Sequence, residues 1–184
     1  EPQYQTLSTL INLELEVVDI IRATGGGNER RLILIANPDA NHPWMLNNEY
    51  EGPVNLPVKE DPNLIMSVHI YDPGEFTHQG CTWANSSYTS QVALTDEHIN
   101  LIKSNVNDVK TFMERTGARV MITETGLNVG MAAEEDMDTY VRLLSQFCHD
   151  NDVPLTWWCY DGGDFALYSS NSWRSAVLDA LFLR

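Results

Sequence analysis

The apolar positions along the chain follow two kinds of spacing, one typical of helices and one typical of buried strands. Residues 7–22 carry apolar side chains three and four positions apart, which predicts an amphipathic helix capped by Thr6 or Ser8. Residues 31–37 contain a continuous apolar run between turn-forming residues. A run of this kind predicts a strand that is buried on both faces.

The same two patterns alternate along the rest of the chain. Apolar runs predict further strands over residues 64–71, 119–126 and 154–160. Helical spacing predicts helices over residues 96–116 and 133–150, and a last one from about Ser172. Because strands alternate with helices, we expect an α/β fold with a parallel sheet and right-handed crossovers.

Residues that carry chemistry cluster where the predicted strands end. His69 and Tyr71 are two positions apart at the end of the second strand, so both face the same side. Glu124 lies at the end of the third strand, and Trp157 and Trp158 lie in the fourth. In parallel α/β folds active sites form at the carboxyl ends of the strands. The sequence therefore predicts a site at this edge.

Each of these residues also has an ordinary structural interpretation. Glu124 is equally consistent with a capping or salt-bridging carboxylate, His69 with a hydrogen-bonded core histidine, and Tyr71 with a packing residue. Side chains alternate along a strand, so one of Trp157 and Trp158 is expected in the core. The other would offer an apolar ring face to a sugar.

The loop after the second strand has an unusual mixture of side chains. Its sequence over residues 72–83, DPGEFTHQGCTW, combines aromatic, amide, imidazole and hydroxyl groups. Such a mixture suits a polyhydroxylated ligand, although an ordinary surface loop is the alternative. Trp44 and Trp83 also lie in loops near strand ends, where a purely structural role is less automatic.

Composition narrows the possible functions. A chain of 184 residues suggests a single domain, and its 43% of apolar residues excludes a disordered chain. The net charge of −15 argues against a nucleic-acid partner, which needs clustered Lys and Arg. No apolar run approaches the roughly 18 residues of a membrane span. The three cysteines form no C-x-x-C pair, so no zinc site is expected either.

Four segments resemble motifs of the glycoside hydrolase family 5 cellulases, in the order that this family has them. HIYDPGEFTHQGCTW (69–83) resembles the sixth strand and the loop after it. ITETG (122–126) resembles the nucleophile motif of the seventh strand, and WWCYDGGDFALYS (157–169) resembles the segment of the eighth. IRATGGGNERR (21–31) resembles the passage from the fourth helix to the fifth strand.

This resemblance implies an eight-stranded (β/α) barrel with retaining chemistry. It assigns Glu124 as the nucleophile, Tyr71 as its hydrogen-bond partner and His69 to the −1 subsite. Glu1, followed by Pro2, matches the acid/base position, although the family's preceding Asn is missing. The early-strand Arg of the family is also missing from this sequence.

The resemblance also implies a ligand and further binding residues. It predicts an endo-acting enzyme that cuts β-1,4-glucan outside the cell, with no metal or organic cofactor. Trp158 is expected to be the sugar platform, with Trp157 as the fallback. His78 and Trp83 are expected to reach neighbouring sugars, and Trp44 is a further candidate. Two alternatives stay open: a relative that acts on mannan or xyloglucan, and a catalytically silent protein that only binds carbohydrate.

The matched motifs begin at the end of the fourth barrel strand. We therefore expect residues 1–184 to form a single C-terminal half-barrel domain with four parallel strands. The sequence opens on Glu1-Pro2 with no secretory signal, from which we expect a removed leader or a longer chain. Because four strands leave two open sheet edges, we also expect a homodimer or a complementing N-terminal half barrel.

Overall fold

The computed structural model describes residues 7–47 and 61–183. The helices are α1 (Leu7–Ala23), α2 (Pro38–Asn41), α3 (Gly74–Thr77), α4 (Asp96–Thr116), α5 (Glu134–Asp150) and α6 (Ser175–Leu181). The strands are β1 (Ile33–Ile35), β2 (Leu64–Ile70), β3 (Arg119–Thr125), β4 (Leu155–Trp157), β5 (Tyr168–Ser169) and β6 (Ser172–Trp173). None of the helices in these ranges is both long and apolar enough to cross a membrane.

Four strands form one sheet in the order β1-β2-β3-β4. β1 runs parallel to β2, with Ile33 opposite Leu64, and β3 runs parallel to β4, with Ile122 opposite Leu155. Helices follow the strands, as in other parallel α/β folds. The predicted α/β fold with four parallel strands is therefore confirmed.

Two details of the predicted elements were wrong. β1 is not buried on both faces, because Leu34 is 49% exposed while Ile35 is only 1% exposed. The last helix begins at Ser175, not near Ser172, because Ser172 and Trp173 pair as a strand with Tyr168 and Ser169. The turn between these two short strands has positive φ at both central residues, which is the geometry of a tight hairpin.

The chain divides into two compact units. Of the described residues, 7–47, 61–69 and 107–121 belong to the first, and 70–106 and 122–183 to the second. The core of the first unit includes fully buried side chains of β1, β2, α4 and the helical turn Pro43–Asn47, among them Ile35, Leu46, Leu64, Met66 and Phe112. The core of the second includes Ile70, Phe76, Ile122, Tyr140 and Leu144.

The long helices follow directly from the sequence. α5 buries Met137, Tyr140, Val141 and Leu144, which recur at helical spacing, while its acidic first turn suits the positive end of the helix dipole. Thr95 caps α4, because its hydroxyl oxygen accepts the backbone N–H of His98 at 3.3 Å.

Candidate active site

The two strand ends of the second unit bring a phenol and a carboxylate together. Tyr71 follows β2 directly, and Glu124 is the next-to-last residue of β3. The Tyr71 hydroxyl donates a hydrogen bond to Glu124 Oε2 at 3.1 Å, and both side chains are half-buried. Burial and the negative charge of Glu124 raise the pKa of Tyr71, so the phenol keeps its proton and acts as the donor.

A buried hydroxyl network fixes these two strand ends. Thr125 Oγ1 donates to the Ile70 carbonyl at 2.6 Å, and Tyr140 Oη donates to the same oxygen at 3.2 Å. Burial raises the pKa of Tyr140, which therefore stays a hydrogen-bond donor. Since these buried polar atoms have partners, the network avoids the cost of desolvated, unpaired groups. It holds the neighbours of Tyr71 and Glu124 in register.

The loop after β2 is folded inward, and the interpretation as an ordinary surface loop fails. Thr77 is fully buried, and its hydroxyl donates to the Tyr71 carbonyl at 2.5 Å. The same hydroxyl lies 2.8 Å from His78 Nδ1. Gln79 is also fully buried and donates to the Phe76 carbonyl at 2.7 Å. The polar residues of this loop therefore position Tyr71 and His78.

A cluster of four aromatic rings, which we call the inner ring group, lies beside Glu124. Its members are Tyr71, His78, Trp83 and Phe165. The His78 ring lies 5.2 Å from Tyr71, 5.1 Å from Phe165 and 5.8 Å from Trp83, measured between centroids. Burial lowers the pKa of His78, so its imidazole is neutral at neutral pH. Trp83 is 70% exposed, and its indole N–H donates to Asp164 Oδ2 at 3.2 Å. Aromatic ring surface therefore extends from the solvent-exposed Trp83 to Tyr71.

The two tryptophans of the β4 segment have different environments. The Trp157 indole N–H donates to the Phe165 carbonyl at 2.9 Å, which ties the side chain to the protein. Trp158 is 53% exposed, and its backbone N–H donates to the Thr125 carbonyl at 2.7 Å. Trp157 is half-buried, so neither ring lies in the core, contrary to the expectation for one of them, and Trp158 is the more accessible of the two.

The motif around Glu124 ends in glycine because position 126 leaves no room for a side chain. A Cβ atom at this position would lie 2.4 Å from the Trp158 carbonyl oxygen and 3.2 Å from the Phe165 ring. The close approach of the two backbones therefore requires the absence of a side chain. It brings Trp158 beside the end of the strand that carries Glu124.

The remaining predicted site residues lie elsewhere in the described chain or outside it. His69 belongs to the first unit, where its Nε2 is 3.4 Å from Asn41 Nδ2. Trp44 belongs to the same unit, is 45% exposed and donates from its indole N–H to Asp39 Oδ2 at 3.1 Å. Glu1 lies outside the described residues.

Sequence reasoning missed three residues that build this site. Phe165 completes the inner ring group, and Asp164 accepts the Trp83 indole N–H. Asn128 donates from its amide to the Gln79 carbonyl at 2.9 Å, and its backbone N–H donates to the Thr77 carbonyl at 2.8 Å. Asp164 and Phe165 lie inside the motif of residues 157–169, and Asn128 lies two positions after the motif of residues 122–126. Their proximity to the motifs was the available signal.

The arrangement is suited to nucleophilic chemistry by a carboxylate. The phenol orients Glu124 through one oxygen, and the neighbouring imidazole is neutral. In the described ranges, no three side chains of His, Cys, Asp or Glu come together as a possible metal site. Glu124 lies at the edge of the sheet where (β/α) barrel enzymes form their active sites, and glycosidases of this class use carboxylates for their chemistry.

Within that class, the chain belongs to glycosyl hydrolase family 5. Residues 1–164 match the model of this family that is described as "Cellulase (glycosyl hydrolase family 5)". The family that the motifs resemble is thereby confirmed.

Curated relatives of the chain are bacterial endoglucanases. Endoglucanase A of Ruminococcus albus is 26% identical over 163 residues, which are 88% of this chain and 40% of that protein. Endoglucanase H of Acetivibrio thermocellus is 25% identical over 181 residues, which are 93% of this chain and 18% of that protein. The chain therefore spans less than half of either relative.

Solved structures show the same fold. A hyperthermophilic endo-β-1,4-glucanase in complex with substrate matches with a TM-score of 0.82 and 22% identity, covering 100% of this chain and 57% of that one. Endoglucanase Cel5A of Thermotoga maritima matches with a TM-score of 0.75 and 19% identity, covering 96% and 55%. The chain thus has the fold of part of a (β/α) barrel.

Proposed function

We propose that this chain supplies the nucleophile half of a retaining, endo-acting β-1,4-glucanase, with Glu124 as the nucleophile. The observation that carries the proposal is the hydrogen bond of 3.1 Å from the Tyr71 hydroxyl to Glu124 Oε2, at the ends of neighbouring strands. Membership of family 5 and the names of the curated relatives give the reaction class.

In the proposed first step, Glu124 attacks the anomeric carbon and the glycosidic C–O bond breaks. The leaving oxygen takes a proton from the acid/base, for which we propose Glu1. In the second step the carboxylate of Glu1 removes a proton from water, and the water oxygen displaces Glu124 from the sugar. The two carboxyl groups must then lie about 5–5.5 Å apart. Tyr71 holds the attacking carboxylate in place throughout.

A pair of substitutions tests the nucleophile. Glu124→Gln keeps the side-chain shape but removes the charge, and we expect it to lower hydrolysis of a soluble cellulose derivative at least ~10³-fold. Glu114→Gln is the matched control, since its side chain is 68% exposed and only 3.9 Å from Lys110 Nζ. Equal activity of Glu124→Gln and the unsubstituted chain would refute the mechanism.

The role of Glu1 has its own test. An aryl glycoside with a good leaving group needs no proton in the first step, whereas a natural glucan does. We therefore expect Glu1→Gln to slow hydrolysis of a natural cello-oligosaccharide much more than cleavage of an activated aryl cellobioside. Equal slowing of both substrates would assign the proton to another residue.

The proposed substrate is a β-1,4-glucan, bound mainly through stacking. Trp158 would carry one sugar ring, and Trp83 and His78 would contact its neighbours, since Trp158 and Trp83 are 53% and 70% exposed. His69 and Trp44 stay proposed substrate-contacting residues. The Thermotoga maritima enzyme has been solved with cellobiose and with mannotriose, so we keep mannan, with xyloglucan, as alternative substrates. Rates on carboxymethylcellulose, glucomannan and xyloglucan would rank the three.

A second candidate function is carbohydrate binding without turnover. It is favoured by the exposed tryptophans, which offer stacking surface whether or not the acid/base is in place. Calorimetric titration with cellohexaose separates the two functions. Binding that is lost in Trp158→Ala, in a chain that never cleaves the sugar, would favour this second function over the first.

We further propose that residues 1–184 act as one half-barrel domain outside the cell and that its open edges are covered by another polypeptide. The partner would be a second copy or a complementing N-terminal half. In the described sheet, β1 and β4 each have a strand on one side only. Beside β4 lies an apolar groove of about 730 Å³, lined by residues such as Leu155, Trp157, Leu178 and Phe182. A monomeric mass by light scattering at micromolar concentration would exclude the second copy.

A further inference from the structure

A second group of aromatic rings, which we call the hairpin ring group, lies on and beside the β5–β6 hairpin. Tyr160 and Tyr168 stack with centroids 5.6 Å apart and an angle of 5° between their planes. Trp173 lies 5.5 Å from Tyr160 and 5.2 Å from Tyr168. Tyr160 is 60% exposed and Trp173 is 52% exposed. The mechanism proposed for Glu124 uses none of these rings.

The three rings are held in place by the hairpin. Tyr168 donates its backbone N–H to the Tyr160 carbonyl at 2.9 Å, and its hydroxyl donates to Asn171 Oδ1 at 2.8 Å. Trp173 pairs across the hairpin with Tyr168. A surface built in this way loses little side-chain freedom when a ligand binds, which favours affinity.

Trp173 also borders a polar cleft of about 550 Å³. Four serines line this cleft, Ser169, Ser170, Ser172 and Ser175, together with the charged residues Glu134 and Arg174. The volume is within the range of ordinary small-ligand sites. The lining offers many hydrogen-bond donors and acceptors, and its two formal charges are of opposite sign.

This combination suits an uncharged, polyhydroxylated ligand. A pyranose ring has an apolar C–H face that packs on an aromatic ring, and hydroxyls at its rim that need polar partners. A polyanion is disfavoured, because the chain carries a net charge of −15 and the cleft adds only one cation. A purely apolar ligand would desolvate the charged side chains of Glu134 and Arg174 without offering them a hydrogen bond.

We infer that the hairpin ring group and the serine-lined cleft form a second binding site for a β-linked polysaccharide, separate from the site at Glu124. The choice of this polymer rests on the proposed function. The second site adds surface that holds a long chain, so it acts on retention of polymeric substrate and not on bond cleavage.

The experiment measures retention on insoluble cellulose in a chain that carries Glu124→Gln, so that the polymer is not consumed. We expect Tyr160→Ala and Trp173→Ala to weaken binding about tenfold each, through the lost stacking surface. Ile20→Ala is the control, because it removes an apolar side chain that is 67% exposed on α1, outside the hairpin, and we expect less than about a twofold change. Unchanged affinity in both hairpin variants would overturn the inference.

A second readout, made with Glu124 intact, separates the two sites. Hydrolysis of a short aryl cellobioside should stay within about twofold in the hairpin variants, since a short ligand reaches only the Glu124 site. A parallel loss on this substrate would place the rings in the catalytic cleft and overturn the inference. If Trp173→Ala unfolds by circular dichroism, Tyr160→Ala decides, and Trp173→Tyr should keep most of the retention. A chain that is retained through the hairpin but never hydrolyses would refute the proposed function alone.

Discussion

The inner ring group and the hairpin ring group use the same kinds of side chain in different surroundings. The inner group, Tyr71, His78, Trp83 and Phe165, includes a phenol that is bonded to a carboxylate, and burial shifts the pKa of both Tyr71 and His78. The hairpin group, Tyr160, Tyr168 and Trp173, includes two rings that are more than half exposed. The inner group thus combines desolvation with a neighbouring charge, which is the combination that clusters at functional sites.

The two groups also differ in what holds them. The inner group depends on buried side-chain hydrogen bonds, chiefly those of Thr77 and Thr125. The hairpin group depends on main-chain pairing between β5 and β6. A catalytic carboxylate must be held more accurately than a stacking surface, because small displacements of reacting groups are costly to the rate. Four experiments with substituted chains test this contrast, in order of decreasing expected effect.

Removal of one tyrosine hydroxyl from each ring group should change the rate of hydrolysis by very different amounts. Tyr71→Phe deletes a hydrogen bond to a charged carboxylate, worth about 1.5–3 kcal/mol, so we expect hydrolysis to fall roughly 10- to 100-fold. Tyr168→Phe deletes the hydroxyl that bonds Asn171, and should leave hydrolysis of a short substrate unchanged. Steady-state kinetics on an aryl cellobioside measures both. Equal effects would remove the distinction between the groups.

Gly126→Ala tests how tightly the inner group is packed. The new Cβ would lie 2.4 Å from the Trp158 carbonyl oxygen, so a backbone shift is needed. Overpacking of this kind costs about 1–3 kcal/mol, which corresponds to several degrees in thermal unfolding. Gly27→Ala is the control, since a Cβ there meets no atom within 4 Å. A melting temperature equal to that of the control would contradict the close approach.

His78 should make stability depend on pH. Because burial lowers its pKa, the unfolded chain binds more protons than the folded chain just below the ordinary histidine value of about 6.5. The stability that comes from neutral His78 is therefore complete above that pH and is lost as the pH falls toward the lowered pKa. The free energy of unfolding, measured with denaturant between about pH 5 and 8, should therefore rise less steeply with pH in His78→Gln than in the unsubstituted chain. An unchanged dependence of stability on pH in His78→Gln would contradict this prediction.

Trp83→Ala should give the smallest change in stability. Although Trp83 belongs to the inner group, it is 70% exposed, so we expect the free energy of unfolding to change by about 0.5 kcal/mol or less. Its affinity for cello-oligosaccharides should nevertheless fall, as for the hairpin rings. A large loss of stability would mean that the ring supports the fold and not the ligand.

The success of sequence reasoning differed between regular elements and loops. α4 and α5 were predicted almost to the residue because their apolar spacing is set by the helix itself. The juxtaposition of Tyr71 and Glu124 followed from parallel strands ending at one edge. β1 was misjudged because an apolar run does not reveal whether both faces find partners, and Leu34 does not.

The parts of the site that escaped the sequence depend on tertiary contacts between loops. Asn128, Asp164 and Phe165 act through partners 49 to 94 positions away in the chain, such as Gln79 and Trp83. No local spacing encodes such pairs. The hairpin β5–β6 escaped because its strands have only two residues each, too few for a recognisable alternation.

The hydroxyl of Thr77 has a consequence for how this family can vary. One oxygen bonds the carbonyl of Tyr71 and also lies 2.8 Å from His78 Nδ1, so it serves two neighbouring positions at once. A substitution that keeps the hydroxyl, such as serine, preserves both contacts, whereas valine loses both. Among relatives that diverge from this sequence, we expect threonine or serine at this position wherever the histidine is kept, and joint replacement of the two elsewhere. Loss of this one buried hydroxyl during divergence would therefore be accompanied by a change at the neighbouring histidine position.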